Sequence, residues 1–206
     1  MPEESLCGAI IANEVLDAMP VERIRIAKDR VDVLGVALAG DELVIAPRPA
    51  PPSLEAAVTA LRGSVDDGYE SEICPMLPGW MASVAPLIKR GVLLVMDYGL
   101  PRAQYYHPER RQGSLLCHFR QRAHADPLTR IGLQDITAWV DFTAVAEAAD
   151  AQGLDVLGFT TQAHFLLGAG LDVELAAIAA TPDPQRLAAL QAVNRLLLPG
   201  EMGEAF

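Results

Sequence analysis

Gly91-Val92-Leu93-Leu94-Val95-Met96-Asp97-Tyr98-Gly99 runs apolar for five residues and then stops on a carboxylate, a phenol and a glycine. A buried parallel strand that ends at a ligand crevice has this form, because both faces are covered and only its carboxyl end meets polar groups. A second copy stands at Gly8-Ala9-Ile10-Ile11-Ala12, which breaks into Asn13 and Glu14. Two such strands predict an open α/β sheet. Ligands of these sheets sit outside the carboxyl ends of the strands, so Asn13, Glu14, Asp97 and Tyr98 are expected to converge on one site.

The 206 residues, 51% of them hydrophobic, suffice for one well-cored domain. A net charge of -11 argues against nucleic acid as the main partner, since phosphate binding needs a positive field. Cys7, Cys74 and Cys117 are odd in number and widely spaced. They fit neither a disulfide framework nor a Cys-x-x-Cys site and read as buried small hydrophobes in a reducing compartment. No apolar run approaches the ~20 residues of a spanning helix, and Glu3 and Glu4 stand where a signal peptide would be basic and then apolar. A soluble cytoplasmic protein with no membrane partner is expected. The chain enters a core strand within ten residues of Met1 and ends at Phe206 without a polar tail, which predicts an incomplete domain.

Three β-branched segments follow at 21–27, 31–38 and 42–46, with separators short enough for hairpins, and Pro47, Pro49, Pro51 and Pro52 end them. They predict an antiparallel meander over 21–46 inserted in the α/β pattern. Ser53 can cap a helix through Leu61, with Gly63 as its stop. Helical spacing over Gly79 to Arg90 predicts a helix feeding the Val92 to Met96 strand, kinked or restarted at Pro86. Asp141 can cap a helix that ends at Gly153 before a strand at Leu154 to Phe159, and Asp183-Pro184 marks the start of a last helix to about Leu198.

Between Arg102 and Arg130 the chain holds six of its 16 basic residues, Arg102, Arg110, Arg111, Arg120, Arg122 and Arg130, against only Glu109 and Asp126. Tyr105, Tyr106, His107, His118 and His124 share this window. It reads either as a solvated loop with arginines paired to an acidic surface or as a lid over 100–137 that recognises an anionic or polar substrate. His118, His124 and Asp126 do not by their spacing specify a closed metal site, so no metal is expected. His164, amid Phe165, Leu166 and Leu167, reads as a packed histidine. Asp17 before Ala-Met-Pro fits a turn or cap residue as well as a functional one, and Asp135 and Thr137 also fit caps.

Asn13-Glu14-Val15-Leu16-Asp17-Ala18-Met19-Pro20-Val21 resembles the Asn-Glu-x-x-Asp-Ala-x-Pro-Val motif of the MidA family, whose mitochondrial relative is an assembly factor for respiratory complex I. The resemblance continues in order through Ser71-Glu72, Asp97-Tyr98-Gly99, His107-Pro108-Glu109-Arg110 with Gly113-Ser114-Leu115, and His124-Ala125-Asp126-Pro127. It extends to Gly132 with Gln134-Asp135-Ile136-Thr137, Val140-Asp141-Phe142, Gln162 with Phe165-Leu166-Leu167, and Met202-Gly203. Seven collinear matches over nearly the whole chain make it specific.

The resemblance implies a Rossmann-like fold, S-adenosylmethionine as cofactor and methyl transfer to a protein arginine, in relatives on a complex I subunit in the mitochondrial matrix. Methyl transfer must align a nitrogen lone pair with the methyl group and exclude water. Carboxylates can grip a guanidinium bidentately. Glu14, Asp17 and Glu72 are the candidates for that catalytic grip, with Asn13, Asp97 and Tyr98 toward the cofactor and His118, His124, Asp135 and Thr137 toward the substrate. Members of the family also carry, upstream of the Asn-Glu motif, a strand and glycine-rich turn that hold the cofactor and that have no counterpart here. Gly168-Ala169-Gly170 lacks the strand-turn-helix context to replace it. This leaves cofactor binding by these residues alone open, and with it a second reading, a non-catalytic protein-binding or assembly module. A homodimer is compatible with the apolar content. A hydrolase would need Ser114 or Ser71 as nucleophile, and neither sits in a Gly-x-Ser-x-Gly elbow.

Overall fold

In the computed structural model, which describes residues 5–61, 64–179 and 182–198, the first element is strand β1 (Leu6–Asn13), followed by β2 (Glu22–Ile26), β3 (Val31–Ala39) and β4 (Glu42–Pro49). The last three pair antiparallel through short hairpins, as their spacing predicts. Helix α1 (Pro52–Val58) runs into a single 3-10 turn, and β5 (Tyr69–Ile73) then returns beside β2, giving the sheet order β4-β3-β2-β5. The sequence reading lacks this fourth strand, because Glu70 and Glu72 lower its strand propensity. Ile24, Val33, Val58 and Tyr69 form its core with Leu54 and Leu61, and each such burial stabilises by about 1.5–3 kcal/mol. Ser53 does not cap α1: Pro51 precedes the first turn, no side chain caps it, and Pro52 has no amide to satisfy. Gly63, the expected stop, lies outside the described residues.

Helix α2 (Leu77–Val84) ends earlier than its apolar spacing predicts. Pro86 sits in a 3-10 turn that resets the chain direction, and Lys89 and Arg90 already belong to strand β6 (Ile88–Met96). Strand β6 pairs parallel with β1 from Leu6 beside Ile88 to Asn13 beside Met96. Gly91 permits that approach, since a Cβ there would collide with the Gly8 carbonyl.

Beyond the crevice come β7 (Gly99–Leu100), α3 (Arg102–Tyr105), β8 (Leu116–Phe119), β9 (Arg122–His124), β10 (Asp135–Thr137), β11 (Val140–Asp141) and α4 (Phe142–Asp150). β8, β9 and β10 make a small antiparallel sheet, and β11 lies parallel to β7. Asp141 caps α4 as expected, its Oδ1 accepting from the amides of Thr143 (3.0 Å) and Ala144 (3.2 Å). Leu16, Leu77, Met81, Val140, Val145 and Ala148 bury together under α2 and α4, with Leu93 and Val95 of β6 packed on them.

Three helices follow, α5 (Gln162–Gly168), α6 (Leu171–Ala179) and α7 (Asp183–Leu197). The expected strand at Leu154 to Phe159 does not form: the segment has no regular secondary structure, and Val156, Leu157 and Phe159 are exposed. His164 is exposed as well, its Nδ1 2.8 Å from the Thr161 hydroxyl that caps α5. Asp183 is the first residue of α7 and Pro182 precedes it, so no side chain caps that helix. All three cysteines are free, but only Cys117 is buried and Cys7 is exposed. Among the described residues no helix is long and apolar enough to cross a membrane.

Candidate functional site

Asp97 follows directly on β6 and is 1% exposed. Its Oδ2 accepts from three successive amides, Val15 (3.1 Å), Leu16 (2.8 Å) and Asp17 (3.2 Å), and its Oδ1 from the Tyr98 amide (2.9 Å). Consecutive amides gathered on one oxygen form a concave anion receptor, here filled by the protein's own carboxylate. The turn after β1 is thereby locked to the end of β6. Glu14 starts that turn in a left-handed conformation, φ 49°, with its amide on the Met96 carbonyl at 2.9 Å. Such a conformation in a residue other than glycine is a strained one, held by its surroundings. Burial pushes the Asp97 carboxyl up to about 6, against the opposing pull of the Leu16 amide, and the charge of Asp17 adds to the rise.

Asp17 is itself buried, and its Oδ1 has no hydrogen-bond partner. Burial raises its pKa, and the nearby charge of Asp135 adds to the rise. The Tyr98 hydroxyl is raised by burial and by the charges of Glu14, Asp17 and Asp97. The structure thus brings Glu14, Asp17, Asp97, Tyr98 and Asp135 into one acidic group at the carboxyl ends of the parallel strands. Asn13 ends β1, exposed, beside Met96.

Glu72 takes a different place. It is 1% exposed, and its Oε2 accepts from the amide (2.9 Å) and hydroxyl (3.1 Å) of Ser114 while Oε1 accepts from the Leu115 amide at 3.3 Å. A Cβ on Gly113, whose φ is 70°, would strike that carboxylate. Both oxygens are committed to the 113–115 turn, so Glu72 organises a loop in the way Asp97 does. The Ser114 hydroxyl in turn accepts from the Trp139 amide at 3.0 Å. This occupies the serine that a hydrolase would use. Ser71, the other candidate, is buried within β5 with an unpartnered hydroxyl.

Sequence reasoning missed the strap that joins these loops. Three consecutive amides each bind a different one: Ala138 to the Asp17 carbonyl (3.0 Å), Trp139 to the Ser114 hydroxyl, and Val140 to the Tyr98 carbonyl (2.8 Å). Main-chain bonds of this kind leave no mark in side-chain pattern. His118, His124, Asp135 and Thr137 lie on the small sheet just before the strap, with Asp135 beside His118, Thr137 beside Leu116 and His124 beside Cys117. His124 Nδ1 accepts from the Asp126 amide at 3.4 Å, and its Nε2 is buried without a hydrogen-bond partner.

The basic window is mostly consumed at home. Arg102 binds Asp141 at 3.0 Å and both oxygens of Glu147, and Arg111 pairs with Asp66 at 3.3 Å. Arg110 stacks on Trp139, and Arg120 and Arg130 both lie over Phe119. A cleft of about 410 Å³ between Arg23, Glu70, Arg111 and Gln112 contains none of the candidate residues.

Residues 1–160 match the family described as "Putative S-adenosyl-L-methionine-dependent methyltransferase". Among solved structures, a native COG1565 superfamily protein from Burkholderia thailandensis is 40% identical with a TM-score of 0.92, covering all of this chain and 55% of its own. A second structure from that organism, titled as a COG1565 superfamily member "and likely methyl transferase" bound to S-adenosyl-homocysteine, is 39% identical with a TM-score of 0.89. It covers 98% of this chain and 52% of its own, so the chain spans about half the length of these relatives. No curated protein matches the chain.

Proposed function

The chain belongs to this S-adenosylmethionine-dependent methyltransferase family, the one its collinear motifs resemble, and on that premise we propose that it forms the acceptor side of a methyltransferase site that takes a protein arginine. The observation that carries the reading is the orphaned Oδ1 of Asp17. A buried acceptor without a donor is costly; here it lies in an acidic group at the strand ends, and a cationic donor completes it. Guanidinium fits, because it offers paired N–H groups to Asp17 and to the exposed Glu14. Asp97 and Glu72 act as positioning residues, one for the 14–17 turn and one for the 113–115 turn. Asp135, Thr137 and His118 share one face of the small sheet and would meet the acceptor there, whereas His124, paired with Cys117, lies on the opposite face; Asn13 and Tyr98 would hold the cofactor. The cofactor, when bound, supplies a methyl group carried on a sulfonium. The carboxylates fix the direction of the acceptor nitrogen and receive the proton it gives up. The protein substrate, a place in the cytoplasm and service to complex I assembly follow from the family resemblance.

Calorimetric titration of an arginine-amide peptide tests this reading without the cofactor. The peptide is expected to bind the 206-residue chain, more tightly as the pH rises through about 6 and Asp97 ionises, and at least tenfold more weakly to Asp17→Asn at an unchanged melting temperature. Absence of binding, or equal binding by the variant, overturns the assignment.

A further inference from the structure

Two adjoining clefts run along the 109–113 loop and share Arg111 and Gln112. The first, of about 410 Å³, opens over Arg23 and Glu70, and the second, of about 360 Å³, over Arg110 and Gly113. They bring the guanidinium groups of Arg23, Arg110 and Arg111 to one groove, against the carboxylates of Glu70 and Glu109. Glu70 does little to neutralise it. Its Oε1 is taken by two N–H groups of Arg25, at 2.9 and 2.7 Å, and its Oε2 meets a single nitrogen of Arg23 at 3.4 Å. The Arg23 side chain is 22% exposed, so a guanidinium largely withdrawn from water keeps most of its donors unspent. Arg110 is held by the Trp139 ring, 4.4 Å from its centre, with no carboxylate partner among the described residues. The Arg111–Asp66 pair, at 3.3 Å with both side chains more than half exposed, is of the weak, solvent-screened kind that a ligand displaces at little cost.

The groove ends beside the acceptor group. Trp139, under Arg110, follows Ala138 in the strap, and the Ala138 amide binds the Asp17 carbonyl. That connection puts the near end of the groove on the order of 10 Å from Asp17, about three residues of extended chain. We propose that the groove binds an acidic stretch of the acceptor polypeptide, beginning about three residues from the arginine held at Asp17. The inference rests on the acceptor reading and adds the sequence context that selects the acceptor. Guanidinium groups take carboxylates through paired N–H bonds, which favours a run of acidic side chains as the occupant. The net charge of -11 repels such a segment elsewhere on the surface, which leaves this groove as its landing place. Over the groove itself the nearby arginines decide, because charges beyond about 8 Å are screened at physiological salt.

The test is calorimetry with peptides blocked at both ends: one with a single arginine among alanines, one with three consecutive glutamates among alanines, and one that joins the two across a pair of alanines, made in both orders. In one order the joined peptide is expected to bind at least tenfold more tightly than the arginine peptide, and raising the salt is expected to remove that advantage. Arg110→Glu with Arg111→Glu is expected to abolish the advantage and the binding of the glutamate peptide, while the arginine peptide binds as before. Arg111→Gln alone, which leaves the Trp139 stack in place, is expected to lower the advantage severalfold at an unchanged melting temperature. Equal binding of the joined and arginine peptides in both orders, an advantage that survives charge reversal, or equal displacement of the glutamate peptide by a single-stranded oligonucleotide each overturns the proposal. Silence of the arginine peptide with retained binding of the glutamate peptide would mark failure of the Asp17 assignment, and the reverse pattern failure of the groove, so the two are distinguishable.

Discussion

The antiparallel sheet β2–β5 and the parallel pair β1–β6 are both written in apolar sequence, yet they reach opposite states of burial. Ile24, Val33 and Tyr69 are at most 1% exposed, whereas Ile11 in β1 lies mostly in solvent. An antiparallel meander closes through local hairpins and needs only one covered face, which α1 supplies. A parallel pair needs crossovers on both faces, and here α2 and α4 cover one. A hydrophobic run therefore states what a segment can bury, and the partner that buries it is a separate fact.

The largest expected effect breaks the closed half of this contrast. Tyr69→Ala removes a fully buried ring from the centre of the antiparallel core and the hydroxyl that donates to the His107 carbonyl at 3.2 Å. It is expected to cost about 3–5 kcal/mol in urea denaturation. A loss below about 1 kcal/mol would mean that this sheet is as loosely held as the parallel pair.

The next sharpens the contrast at the strand ends, where β6 carries a buried charge at the crevice. The Asp97 carboxyl titrates near 6 in the folded chain against an ordinary 3.8. The folded state thus holds its proton to higher pH than the unfolded state. Stability from this residue is fully present below about 4 and is lost as the pH rises through about 6, a change of about 3 kcal/mol at most. Asp97→Asn is expected to remove that portion of the decline. Urea midpoints taken from pH 4 to 8 for both proteins measure it, and parallel curves would show that Asp97 is ionised at an ordinary pKa.

Much of this was legible beforehand, for identifiable reasons. The meander, the Asp141 cap and the two parallel strands follow from periodicity and cap chemistry, both of which are local. The convergence of Glu14, Asp97 and Tyr98 follows from the rule for strand ends. What stayed hidden depends on contacts distant in sequence. Glu72 enters the candidate grip through the family resemblance, and only the fold reveals Ser114 and Leu115 as its partners. Strand β5 is fixed by pairing with β2, not by its own composition. Leu154 to Phe159 has strand-forming residues but no neighbour among the described residues with which to form a strand.

The smallest expected effect is the most telling for the comparison. Ile11→Ala removes about as much aliphatic side chain as a core truncation in β2 would, where the cost is about 2–5 kcal/mol. At Ile11 most of that surface already faces water, so little transfer energy is lost and no cavity opens. The expected change in urea midpoint corresponds to less than about 0.5 kcal/mol. In a protein whose β1 face is covered, the same substitution returns to the core range. A cost in that core range, measured by urea denaturation of the chain, would show that the β1 face is covered.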